Sequence, residues 1–211
     1  MISYYLPLLL TNVGVTDTNT VLLLNGVYAL MGWIAAAAGA RFHDVVGRRK
    51  MMLCSTFGMI ICLSITAGTA AGYVNNGSQS SSRASIAFIY IFGVVFAFAY
   101  TSMQPIYPAE VMSNEMRAKG MWLFQFTAGL ASFVNTFAAP VALKHIQYWF
   151  YVFFVFWDCF EFLVIYFFFV ETKGRTLEEL DEVFEDKNPR KASTRKVILR
   201  KRYMVDMRAQ A

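Results

Sequence analysis

Charge is what this chain has least of. Charged residues occupy 16% of its 211 positions, where a soluble domain carries about a quarter. That shortage excludes an ordinary water-soluble globule. Cysteine and histidine are scarce too, with three and two copies. Cys54, Cys62 and Cys159 all sit in apolar runs without metal-ligand spacing. They read as reduced packing residues and exclude a zinc site or a disulfide scaffold. His43 and His145 are isolated and read as interfacial. No nucleophile stands near a base, and no glycine-rich loop is set to cradle phosphate. No enzyme, no metal and no cofactor is expected. The N-terminus lacks a basic region before an apolar stretch and a small-residue cleavage site, so no cleavable signal peptide is expected. Acid is absent from Lys187–Arg202, which holds eight of the 19 Lys and Arg. So basic a stretch beside so apolar a body points to anionic lipid and not to nucleic acid.

In place of charge the chain has apolar length, with 57% hydrophobic residues. Asp44-Val-Val-Gly47-Arg48-Arg49-Lys50 separates two apolar runs, Val21–Ala40 and Met51–Tyr73. Each is about the 20 residues that cross a bilayer core as a helix. So short a link makes them antiparallel neighbours, and its basic cluster is expected on the cytoplasmic side. Further spans read at about Ala84–Pro105, Met121–Leu143 and Tyr148–Val170. The first run, Ile2–Val15, is too short to cross and contains Pro7. The favoured reading is a chain that starts in mid-span; the other is a re-entrant segment. The loop Val74–Arg83 is expected outside, where Asn76-Gly77-Ser78 forms a glycosylation triplet. The fold class is therefore all-α: a polytopic bundle over residues 1–170, then a cytoplasmic tail over 171–211. In the tail, Thr176 and Glu179 form a capping box that opens a short amphipathic helix, with Leu177, Leu180 and Phe184 on one face. Beyond Pro189 the chain reads as disordered and solvated.

Asp44 and Glu110 stand near the C-terminal ends of their helices, where a carboxylate faces the negative end of the helix dipole at a cost of roughly 0.3–1 kcal/mol. Each is expected to have a cationic partner on a neighbouring helix, with Arg48, Arg49 and Arg117 the candidates. The bland alternative is a set of solvated charges anchoring helix ends. Asp158 and Glu161 lie near the middle of the last span at i, i+3, on one face. Intramembrane acids face a cavity or a partner, so they read as proton-binding groups or as a structural pair. Asn25, Gln104, Gln125 and Asn135 are uncharged polar residues inside spans. They suit either a polyhydroxylated ligand or plain helix–helix hydrogen bonding.

Three motifs resemble one family. Asp44-Val-Val-Gly47-Arg48-Arg49 resembles the D-x-x-G-R-R loop of the major facilitator superfamily. Pro108-Ala109-Glu110-Val111 with Arg117-Ala118-Lys119-Gly120 resembles the P-x-E…R-x-x-G loop of its sugar porters. Glu171-Thr172-Lys173-Gly174-Arg175 is similar to their P-E-T-K-G signature, with Val170 in place of proline. Ile2-Ser3-Tyr4-Tyr5 and Pro140-Val-Ala-Leu143 are similar to the fungal lactose permease and hexose transporter branch. The resemblance implies the second six-span half of a twelve-span sugar transporter working by alternating access at the plasma membrane. Its partners would be a mono- or disaccharide, protons, membrane lipid, and the missing N-terminal half or another half-transporter. It implies that Tyr4, Tyr5 and Asn135 lie at sugar-binding positions. It also implies an inner-face charge network of Asp44, Gly47, Arg48, Arg49, Glu110, Arg117, Glu171 and Lys173. The sequence departs from the family at Pro105, where a sugar-stacking tryptophan is usual, and at Gly32, where an asparagine is. The alternatives are a non-transporting sugar sensor and an inactive truncated product.

Overall fold

The computed structural model describes residues 17–76, 79–146, 149–176, 179–180, 183–184 and 188–194. Its elements are helices. Asp17 opens the first, α1 (Thr18–Val46), by accepting the Thr20 amide at 3.0 Å and the Thr20 hydroxyl. Those two bonds, the hydroxyl's first, hold the Asp17 carboxyl below its ordinary range. α1 stops at Gly47, whose φ of 111° suits glycine and whose N–H closes on the His43 carbonyl at 3.1 Å. α2 (Arg48–Asn76) starts at the next residue. The charged stretch between the two apolar runs is thus mostly helical, and the link is one glycine. Each of these 29-residue helices reaches about 43 Å, longer than the ~30 Å hydrocarbon core. Their charged ends project beyond it.

The next span is a rod of three pieces: α3 (Gln79–Phe96), a π-helical turn (Ala97–Thr101) and α4 (Ser102–Val111). The reason lies in Pro105. It has no N–H for the Thr101 carbonyl and its ring crowds that oxygen, and the widened turn ends at Thr101. α5 (Asn114–Ile146) and α6 (Trp149–Phe168) follow, and α7 (Pro189–Thr194) closes the described chain.

Among the described residues four stretches are long and apolar enough to cross a membrane: Thr18–Val46, Arg48–Gly72, Arg83–Val111 and Trp149–Phe168. α5 has the length at 33 residues, but Gln125, Thr127, Ser132, Asn135 and Thr136 dilute its apolar character. The run Ile2–Val15, with Tyr4 and Tyr5, lies outside the described residues, as do Gly77 and Ser78 of the glycosylation triplet.

α2 packs on α3 and α6, and α1 packs on the π-turn. The core between them is Met52, Met59, Ala99, Tyr100, Met103, Tyr107 and Ile165. α1 comes so close to the π-turn that a Cβ on Gly39 would sit 1.7 Å from the Phe98 carbonyl oxygen. α5 stands more apart, with Trp122, Phe133 and Phe137 more than 60% exposed.

The tail differs from expectation over residues 189–194, while residues 195–211 lie outside the described residues. Pro189–Thr194 is a short helix, because proline suits the first helical position and the Asn188 carbonyl accepts from Lys191 and Ala192, both at 3.0 Å. Arg175 ties it back through the Ala192 and Ser193 carbonyls at 2.9 Å each. Thr176 and Glu179 exchange the two bonds of a capping box, at 3.0 and 3.4 Å. Leu180 and Val183 are buried there, whereas Phe184 is exposed and Leu177 lies outside the described residues.

Candidate functional site

The end of α1, the start of α2 and the end of α4 meet around one guanidinium. Arg48 donates to Asp44 at 3.0 Å, to Glu110 at 3.2 Å and to the His43 carbonyl at 3.3 Å. The two ion pairs differ in worth. The Asp44 side chain is 73% exposed, so water screens that pair to a few tenths of a kcal/mol, about 0.2–1 at most. Arg48 and Glu110 are 15% and 26% exposed, and Thr172 donates a second bond to Glu110 at 2.6 Å. That pair is the stronger, of order 1–3 kcal/mol. A carboxylate at the unfavourable end of α4 is thereby neutralised.

The segment after α6 completes the clasp. Glu171 accepts from the Arg48 amide at 2.8 Å, a donor at the start of α2 that helix geometry leaves without a partner inside the helix, and from the Lys173 amide at 3.2 Å. A Cβ on Gly47 would lie 2.6 Å from the Glu171 carboxylate, so glycine serves both the positive φ and this contact. Lys173 donates to the Val45 carbonyl. Tyr107 donates to the Val170 carbonyl at 3.0 Å and accepts from its amide at 3.1 Å. Asp44, Arg48, Glu110, Thr172, Lys173 and Arg175 line a cleft of about 550 Å³.

The structure brings Asp44, Gly47, Arg48, Glu110, Glu171 and Lys173 together. Arg49 goes elsewhere: it donates to the Tyr166 carbonyl at 2.7 Å and lies over the Tyr166 ring, which Arg190 also covers. Arg117 does not pair with Glu110. Its Nε and one terminal nitrogen are buried without a hydrogen-bond partner among the described residues.

His43 is not interfacial. It is 0% exposed, and its Nε2 meets the Ala99 carbonyl of the π-turn at 2.9 Å. The spacing Gly39–His43, one helical turn, carried this contact in the sequence: the small residue lets the backbones close and the imidazole bonds across. Asn25, Gln104, Gln125 and Asn135 lie on α1, α4 and α5. Gln104 and Gln125 are exposed, Asn25 and Asn135 half-buried, and none lines the cleft. Asp158 is buried and Glu161 half-buried on α6.

Residues 1–184 match a protein family described as sugar (and other) transporter. The chain is 30% identical over 191 residues to the MFS-type transporter oryC of Aspergillus oryzae, covering 90% of this chain and 35% of that one. It is 26% identical to the sugar transporter STL1 of Saccharomyces cerevisiae, covering 86% and 31%. With the high-affinity glucose transporter of Kluyveromyces lactis it shares 27%, covering 88% and 37%. A crystal structure of a double-tryptophan mutant of XylE has the same fold at a TM-score of 0.74 and 19% identity, covering 87% of this chain and 39% of that one. The chain thus spans about a third of the length of the relatives it matches.

Proposed function

The chain belongs to the sugar (and other) transporter family, and from that premise we propose that it carries a mono- or disaccharide across the plasma membrane by alternating access. Membership makes it an integral multi-pass membrane protein and not an enzyme. In this reading the bundle is the second half of a transporter. It rocks against a first half, or against another half-transporter, around a sugar near the bilayer midplane. Asn25, Gln104, Gln125 and Asn135 offer donors and acceptors to the sugar hydroxyls, joined by Tyr4 and Tyr5. Transport is driven by protons.

The observation that carries the reading is the Arg48 clasp. Rocking needs a half that moves as one body, and Arg48 ties the ends of α1, α2 and α4 to each other while Glu171 ties them to the tail. The clasp faces the cytoplasm in this reading, since its basic residues hold that end inside. The test is uptake of labelled hexoses and disaccharides by a transport-deficient host expressing the full-length gene product. Uptake of at least one sugar is expected, with Glu110→Gln reducing it at unchanged surface abundance. Uptake no higher than in the empty host for every sugar overturns the proposal.

A further inference from the structure

The end of α6 carries a cluster of cations that the clasp does not use. The Val170 N–H, which a continuing helix would return to Tyr166, goes instead to the Tyr107 hydroxyl at 3.1 Å. The Tyr166 carbonyl is left open, and two guanidiniums converge on it. Arg49 of α2 donates to it at 2.7 Å and Arg190 of α7 at 3.3 Å. The same two groups lie 5.7 and 5.1 Å from the centre of the Tyr166 ring. One neutral oxygen thus gathers two positive charges. Arg49 has no carboxylate within ion-pair distance among the described residues, and the carbonyl offers only the partial charge of a helix end.

Beside Arg190 opens a cleft of about 380 Å³, whose lining includes the rings of Phe167, Phe168 and Phe184 and the cations Arg190 and Lys191. Among the described residues no acid lines it. Phe167 is 57% exposed and Phe168 77%. The depth of the cleft follows from helix length. The 20 residues of α6 rise about 30 Å, the thickness of the hydrocarbon core. Phe167 and Phe168, its last two residues, stand where acyl chains give way to headgroups. The cations beside them stand at the depth of lipid phosphate. A free anion would leave the rings unused, and a neutral lipid would leave the cations unused. The occupant that satisfies both is anionic and apolar at once.

We propose that this cleft binds one anionic phospholipid, with its headgroup on Arg49, Arg190 and Lys191 and its acyl chains against Phe167 and Phe168. In the orientation given above the cleft opens to the cytoplasmic leaflet, the one that carries anionic lipid. The site is built from α2, α6 and α7 together, which sets it apart from a diffuse pull on a basic tail. A bound lipid fastens α7 to the end of α6. Arg175, which holds the Ala192 and Ser193 carbonyls of the same segment, carries that hold back toward the clasp. The site goes beyond the transport reading and needs only that α6 spans the membrane.

Native mass spectrometry of the chain released from detergent micelles tests this, with phosphatidylserine and phosphatidylcholine of identical acyl chains as the probes. One phosphatidylserine should be retained in preference to phosphatidylcholine. A basic side chain beside anionic lipid is worth about a fivefold change in binding, so Arg49→Gln/Arg190→Gln should weaken phosphatidylserine retention about 25-fold. Phosphatidylcholine retention should not change. Arg200→Gln/Lys201→Gln removes the same charge from the basic stretch near the end of the chain and should leave both lipids unaffected. Glycerophosphoserine, the headgroup without chains, should not displace the lipid at equal concentration. Equal retention of the two lipids overturns the site. So does an equal loss in Arg200→Gln/Lys201→Gln, which marks diffuse attraction, or displacement by glycerophosphoserine, which marks a free-anion site. Should the Arg49→Gln/Arg190→Gln chain lose its helix content, Lys191→Gln decides, since that side chain is exposed. A loss of about fivefold in phosphatidylserine retention supports the site, and unchanged retention overturns it. The readout uses no sugar, so a retained lipid without uptake leaves the site standing and removes the transport reading, and uptake without lipid preference does the reverse.

Discussion

Arg48 donates to Glu110 at 3.2 Å, joining the first residue of α2 to the end of α4 across 62 residues of chain. The bond is mostly shielded, and Thr172 fills the other carboxylate oxygen. Glu110→Gln should therefore cost about 1–3 kcal/mol, read as a lower unfolding temperature in detergent. Asp44→Asn breaks a pair that is mostly in water and should cost about 0.2–1 kcal/mol at most. Equal losses for the two would show that burial does not rank these bonds.

Two glycines of α1 make opposite forecasts. A Cβ on Gly39 meets the Phe98 carbonyl oxygen at 1.7 Å, whereas a Cβ on Gly26 meets nothing within 4 Å. Gly39→Ala should part α1 from the π-turn and cost about 1–3 kcal/mol or more. Gly26→Ala should be neutral or gain up to about 1 kcal/mol of helix propensity. Paired thermal-shift measurements check both, and a harmless Gly39→Ala would place α1 farther from the π-turn than described.

His43→Ala should orphan the Ala99 carbonyl at a cost of roughly 1–3 kcal/mol, with a cavity penalty added. His43→Gln keeps a donor and should recover part of it. Proteolysis near the π-turn should follow the same order, native least and alanine most. No rescue by glutamine would mean that the ring packs there and the bond matters little.

The apolar runs made α1, α2 and α6 legible, because burial in lipid selects residue type directly. The clasp was legible as a set of displaced charges, since Asp44 and Glu110 sit where a helix dipole repels them. Its wiring was not. Arg48, Arg49 and Arg117 are chemically alike in sequence, and only the approach of α4 to the start of α2 gives Glu110 to Arg48. The π-turn was hidden for another reason. One widened turn in a rod of apolar residues leaves the hydrophobic pattern intact, and Pro105 marks only that some carbonyl upstream must move. His43 read as interfacial because histidine is usually exposed near helix ends, whereas its partner lies 56 residues away.

Ser80 is exposed near the start of α3, at the end away from the clasp. A cysteine there, Ser80→Cys, should react with an impermeant thiol reagent on intact cells. The natural cysteines Cys54 and Cys159 are exposed in the bundle, so the comparison is with the parent protein. Reaction only after permeabilisation would put the basic end outside.

Entrance counterflow tests the transport reading most directly. Proteoliposomes holding the full-length gene product are loaded with unlabelled sugar and diluted into a trace of the same sugar carrying label. Alternating access exchanges one molecule for another without a driving force. The label should rise inside above its external level and then decay, and Glu110→Gln should flatten the peak. Label that never exceeds its external concentration, for every hexose and disaccharide tried, would contradict the account.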